Sequence, residues 1–319
     1  MKLMLRQALT ALSVVLLLVT PAAALDHLKV MIGANPGGGF DQTGRGLGRA
    51  MVEAGAVKSV QFENKGGAGG TIALAQFVTA GKGDPDTMIV TGATMVGAIV
   101  QNKPPLTLAQ ATPIARLFYE YNVLVVPTSS PIKTLKDVID QLKRDPSSVK
   151  WAGGSRGSVD HIAVAQIAKA VGVDPTRINY VPFQGGGEAS AAILEGYVTI
   201  GISGWNEMAQ YVRNGKMRAL AVTSAMRLPV ANTPTLKELG INVEMGNWRG
   251  MYAAPGITVP QRKALTDAVV NATRQKSWAD AMVRNAWIPA VIVGDEFSRF
   301  VDAEHTRIEA SMRSVGLIQ

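Results

Sequence analysis

The chain of 319 residues contains no cysteine, which excludes disulfides, thiolate catalysis, a lipid-bearing cysteine and cysteine-ligated zinc. It has only three histidines, and no two stand in H-x-H or H-x-x-x-H spacing, so no metal site is expected. Aromatic residues make up 6% of the chain, too few for a base-stacking platform, and Lys and Arg are scattered rather than clustered. Nucleic acid is therefore a poor partner. Nucleotide fingerprints are missing too: no G-x-x-x-x-G-K-[ST] occurs, and "GGGFDQ" lacks the last glycine of G-x-G-x-x-G. No cofactor is indicated. The one long apolar run, Ala8 to Val19, falls short of the roughly 20 residues that span a bilayer.

That run has Lys2 and Arg6 before it and Pro21, Ala22, Ala23 and Ala24 after it, the pattern of a secretory signal peptide. Residues 1–24 are thus expected to be cleaved near Ala24, leaving an exported, soluble protein. The net charge is +8, of which the leader supplies two, and the remaining surplus favours anionic partners through long-range attraction. Without disulfides the mature chain must be held by its core, and with 47% hydrophobic residues it can build one.

From Leu28 onward short β-branched runs alternate with helical periods. "LKVMI", "VQFEN", "TMIVTG", "NVLVVP", "VKWAGG", "INYVPF", "VTIGIS" and "MRALAVT" read as strands. Helices are expected over 41–54, after Gly70, at "LKDVIDQLKR", and over 159–171, 187–195 and 205–214. Such alternation means βαβ units and a mostly parallel sheet, an α/β fold. "RGMYAAP" reads as a returning strand, followed by two long helices near 260–275 and 294–314. Two Pro/Ser/Thr-rich stretches, 126–134 and 223–235, look like crossings between lobes. They divide the mature chain into a first lobe of residues 25–126 and 231–319 and an inserted second lobe of residues 127–230.

Glycine turns stand where strands give way to helices: "NPGGGFD" (35–41), "GGAGGT" (66–71), "GGSRGSVDH" (153–161) and "FQGGGEAS" (183–190). Each presents free N–H groups at a helix N-terminus, where the helix dipole adds to their pull on an anion. In open α/β sheets such turns lie at the carboxyl ends of strands, where ligands sit. Asp41 fits a helix cap better than an anion contact. One enzyme motif also matches. Gly153, Ser155 and Gly157 fit G-x-S-x-G, a nucleophile elbow, so a secreted serine hydrolase is the alternative. Its base would have to be His161, which is too local, or His305, which reads as a solvated helix residue.

Taken in order, "NPGGGFDQTGR", "ENKGGAGGT", "TPIARLFYEYNVLVVP", "GGSRGSVDHI", "YVPFQGGGEA" and "NWRGMYAAPG" make the whole mature chain similar to one family. It resembles the periplasmic solute-binding proteins of tripartite tricarboxylate transporters, the Bug-type receptors. "GGGFDQTGR", "DHI", "QGGGEA" and "NWRG" resemble the tricarboxylate-binding branch, while Phe40 replaces an expected Trp and Gly44 an expected Ala. The resemblance implies a two-lobed type II periplasmic-binding-protein fold that closes on a di- or tricarboxylate such as citrate. It implies a monomeric periplasmic receptor without catalysis, cofactor or metal, delivering its ligand to membrane permease subunits. Carried over by position, the first-lobe contacts are Asn35, Gly38, Gly39, Phe40, Thr43 and Thr94. Those of the second lobe are Ser155, Ser158, His161, Gln184, Gly186, Gly187 and Asn206. Arg249 is the favoured charge partner for a further carboxylate; His161 serves either the ligand or a buried backbone group.

Overall fold

The computed structural model describes residues 25–319, so the expected leader lies outside the described residues. The first lobe opens with β1 (Leu25–Ile32), α1 (Gly39–Glu53), β2 (Val57–Asn64), α2 (Thr71–Ala80), β3 (Thr87–Gly92) and α3 (Ala93–Asn102). β1 lies between β2 and β3 and is parallel to both. Leu47, Ala50 and Met51 fall on one face of α1 and are at most 1% exposed, which fixes the helix on the sheet. Burying each of the two larger side chains contributes about 1.5–3 kcal/mol.

The sheet changes lobes within one strand. β4 (Thr112–Pro127) runs for 16 residues. Its first part pairs antiparallel with β9 (Gly246–Ala253) and β10 (Ile288–Val293). Its last part pairs with β7 (Ile200–Gly204) and β8 (Met217–Val222). Partners switch between Tyr121, opposite Gly246, and Asn122, opposite Gly204. The crossing is therefore inside β4, and the stretch 126–134 only links that strand to the next helix.

The second lobe adds α4 (Leu135–Arg144), β5 (Lys150–Gly153), α5 (Val159–Ala170), β6 (Asn179–Pro182), α6 (Gly186–Leu194) and α7 (Trp205–Arg213). β5 runs parallel to β6 and β7. After β8, Val222 bridges to Thr235, and Ile241, Val243 and Met245 are buried before β9 returns between β3 and β4. The path reads β2-β1-β3-β9-β4-β7-β5-β6, with β8 and β10 also on β4.

The chain closes with α8 (Val259–Ala272), α9 (Lys276–Asn285) and α10 (Gly294–Ser314). α8 and α9 cover α1, while α10 covers α3 and β4. An aromatic cluster locks this layer: Phe118 stacks on Trp287 at 4.1 Å between ring centres and meets Trp278 at 5.9 Å. Among the described residues no helix is long and apolar enough to cross a membrane. The α/β, two-lobed architecture expected from the sequence is the one observed, but the sheet is not mostly parallel. Among the described residues four strand pairs are parallel and five antiparallel, because β4 and β9 run against their neighbours.

Candidate functional site

Four turns converge where the lobes meet. β1 leads into α1 at Gly39, β5 into α5 past Ser155, β6 into α6 at Gly186, and β7 directly into α7. They leave a cavity of about 70 Å³ between them. Gly38, Gly39, Phe40, Gly69 and Thr94 line it from the first lobe, and Gly154, Ser155, Asp160, Gln184, Gly185, Gly186, Ser203 and Glu207 from the second. β9 contributes Asn247 and Arg249.

The sequence had marked Gly38, Gly39, Phe40, Thr94, Ser155, Gln184, Gly186 and Arg249, and the fold brings these together on the cavity wall. The remaining marked residues stand behind or beside it. Thr43 is fully buried and donates its hydroxyl to the Gly39 carbonyl, 2.7 Å away. Ser158 caps α5 by accepting the His161 N–H at 3.3 Å. His161 accepts the Gly157 N–H on Nδ1 at 3.2 Å and packs on the Tyr180 ring at 4.3 Å. Burial, and then the Arg156 charge, lowers its pKa to about 4, so it is a neutral partner for a backbone group. Gly187 is exposed. Asn35 and Asn206 tie the lobes together: Asn35 donates to Glu188 at 2.6 Å, and Asn206 to Gln42 at 3.1 Å.

Backbone groups make further ties. The Gly69 N–H donates to Ser155 Oγ at 3.1 Å, and the Gly39 N–H to Glu207 Oε1 at 3.0 Å. Gly39 has no room for a side chain: a Cβ there would run into the Arg249 guanidinium. Gly38 is less crowded, its Cβ position being 3.4 Å from the Asn35 carbonyl oxygen and 3.6 Å from Glu207. Its own N–H points back to the Asn35 carbonyl at 3.4 Å. Among the described residues Ser155 Oγ meets the Gly69 N–H and no imidazole, His161 having its Nδ1 on Gly157, so the nucleophile–base hydrogen bond of a serine hydrolase is not formed.

Among the described residues Arg249 is the one cationic residue on the cavity wall. It is 5% exposed, lies 4.7 Å over the Phe40 ring, and pairs with Glu120, which is 2% exposed. Glu120 gathers four donors on two oxygens: Nε and Nη2 of Arg249, Nδ2 of Asn247 and Nε1 of Trp287. Because Glu120 can only accept, the Asn247 amide must face it with its nitrogen, leaving Oδ1 buried without a partner.

Four polar side chains on the wall were not marked as contacts, Asp160, Ser203, Glu207 and Asn247, although Asp160 and Asn247 fall within the quoted "DHI" and "NWRG". Both acids stand in the first turn of a helix, where an acid commonly serves the dipole, so their convergence is visible only in the fold. Burial is the main cause that raises the Asp160 pKa to about 6 and that of Glu207 to about 7.

A model of the tripartite tricarboxylate transporter family receptor matches residues 48–317. The chain belongs to that family. It is 28% identical over 299 residues to a Cupriavidus necator protein described as "UPF0065 protein in gbd 5'region", covering 91% of this chain and 88% of that one. Its fold is similar to that of the periplasmic binding protein BugD, with a TM-score of 0.83 at 22% identity, covering 92% and 98% of the two chains. MatC of Rhodopseudomonas palustris, solved with bound malate, gives a TM-score of 0.77 at 25% identity, covering 90% and 98%. The receptor is thus a solute-binding protein of the Bug type and not an enzyme.

Proposed function

We propose that this receptor works in the periplasm as a monomer, binds a di- or tricarboxylate of the citrate kind, and hands it to the permease of a tripartite transporter. The observation that carries this reading is the meeting of α1 and α6 N-termini, one from each lobe, with Arg249 around one cavity. Backbone N–H groups at helix starts attract carboxylates, and an acid with two or more of them engages both lobes at once. The unpartnered Asn247 Oδ1 adds an acceptor that suits a hydroxyl on the acid. MatC binding malate, a hydroxylated dicarboxylate, supports the same class.

In this reading the marked residues on the wall hold the ligand, while Asn35 and Asn206 lock the lobes, which hinge at Tyr121–Asn122 of β4. The test is calorimetry at pH 6 with citrate, malate, succinate and acetate. Citrate or malate should bind at least about a hundredfold more tightly than acetate, a gap of about 2.7 kcal/mol. Equal affinities for acetate and citrate would refute a site that reads both ends of an acid.

A further inference from the structure

Glu207 is marked by no motif, yet it holds the place that the proposed function gives to a ligand. It comes from the first turn of α7 in the second lobe and reaches the first residue of α1 in the first. Its Oε1 accepts the Gly39 N–H at 3.0 Å, and its Oε2 lies 2.5 Å from Ser203 Oγ. A Cβ on Gly186, the first residue of α6, would collide with the same carboxyl group. A protein carboxyl group therefore sits between the two helix starts that face the cavity. The cavity that Glu207 helps to line is small, about 70 Å³, against about 300–1,000 Å³ for ordinary small-molecule pockets.

We propose that Glu207 competes with the ligand for the Gly39 N–H, and that a carboxylate displaces it with uptake of one proton from solvent onto Glu207. This rests on the carboxylate reading above. A ligand carboxylate at Gly39 would enter a pocket that already holds Glu207 and Asp160 of α5, with the charge of Glu120 of β4 close by. The cation beside them, Arg249 of β9, is already paired with Glu120. The acids of the neighbouring helices are engaged elsewhere. On α6, Glu188 is exposed and bound to Asn35, and on α1, Asp41 holds Arg45 and the Gly37 N–H. Like charges so confined cannot all ionise, and a proton is the cheapest relief.

The geometry also says where that proton goes. Both Asp160 oxygens accept, Oδ1 from Asn122 Nδ2 and Oδ2 from the Gly154 N–H, each at 2.7 Å, so a proton on Oδ2 would face a group that can only donate and one on Oδ1 would require the Asn122 amide to turn over. Glu207 Oε2 faces a hydroxyl, which can accept as readily as it donates. A protonated Glu207 therefore loses no hydrogen bond there. Its raised pKa of about 7, from burial and then from Asp160 and Glu120, makes the proton available near neutral pH.

Calorimetry with malate, citrate and succinate at pH 8, in two buffers of different ionisation enthalpy, counts the protons bound. The unmodified receptor should take up about one proton per ligand, and its affinity should fall about tenfold per pH unit above 7. Glu207→Gln keeps an acceptor for Gly39 and a donor for Ser203, so it should take up none, show a flat profile and bind at least about tenfold more tightly at pH 8. Binding without proton uptake by the unmodified receptor, which requires no variant, would overturn the proposal. So would weaker binding by Glu207→Gln, which would make Glu207 a contact to the ligand. If the unmodified receptor bound none of the three acids even at pH 6, the carboxylate reading itself would fall, and this one with it.

Discussion

Replacing Glu120 by Gln changes one oxygen to nitrogen and removes one charge at the point where β4 passes between the lobes. Four donors converge on the two Glu120 oxygens, and neither Glu120 nor Arg249 is more than 5% exposed. Gln offers one acceptor. If its oxygen serves Arg249 and Asn247, its NH2 confronts the Trp287 N–H; if it serves Trp287, the NH2 confronts the guanidinium. In either case Arg249 loses the one carboxylate it is paired with. Breaking a buried ion pair by removing one partner costs about 3–5 kcal/mol, most of it from the stranded charge. Urea denaturation followed by circular dichroism should show that loss as a lower midpoint with an unchanged slope. The double variant Glu120→Gln/Arg249→Met should recover most of it, because no isolated charge remains. A loss below about 1 kcal/mol for Glu120→Gln, or simple additivity in the double variant, would refute the view that charge isolation sets the cost.

Gly39→Ala should leave the far-UV circular dichroism spectrum unchanged but weaken citrate or malate binding at least about tenfold, since the methyl group displaces Arg249 and covers the Gly39 N–H. Unchanged affinity in calorimetry would show that this glycine only eases packing. Ser155→Ala removes the acceptor of the Gly69 N–H across the cleft, so ligand affinity should drop by about 1 kcal/mol. Turnover of simple esters by the unmodified protein, lost in that variant, would contradict the absence of a catalytic serine. N-terminal sequencing of the secreted product should begin near Leu25, and an intact Met1 would refute the leader.

Strands and helices with a clear local pattern were legible from the sequence. "TMIVTG" and "LKDVIDQLKR" coincide with β3 and α4, the first a uniformly buried apolar run, the second amphipathic and closed by a Thr134 capping box. The first half of β4 was not legible, because Pro113, Arg116 and Glu120 interrupt its apolar pattern. Those charges are tolerated only through partners far along the chain: Arg116 reaches the Ala290 carbonyl and Glu120 reaches Arg249. α3 escaped for the opposite reason, being buried almost all round and so showing no period. Within the site, the glycine turns and Arg249 were readable as motifs. Glu207 was not, since an acid in a helix's first turn has a sufficient local explanation, and only the closing of two lobes puts it on Gly39.

The position of β9 bears on how the chain assembles. It lies between β3, which ends at Gly92, and β4, which ends at Pro127, but it does not begin until Gly246. A chain made from its N-terminus thus carries two open sheet edges through the synthesis of the whole second lobe. One of them, β3, is buried at every position in the finished protein. An apolar edge left open in this way invites pairing with other chains. The second lobe is continuous from the end of β4 through β8 and can settle meanwhile. β9 also carries Asn247 and Arg249, so the strand that seals the first lobe brings the cavity's charged wall with it. Joining β3 to β4 and supplying the cavity's charged wall are therefore tasks of the same strand.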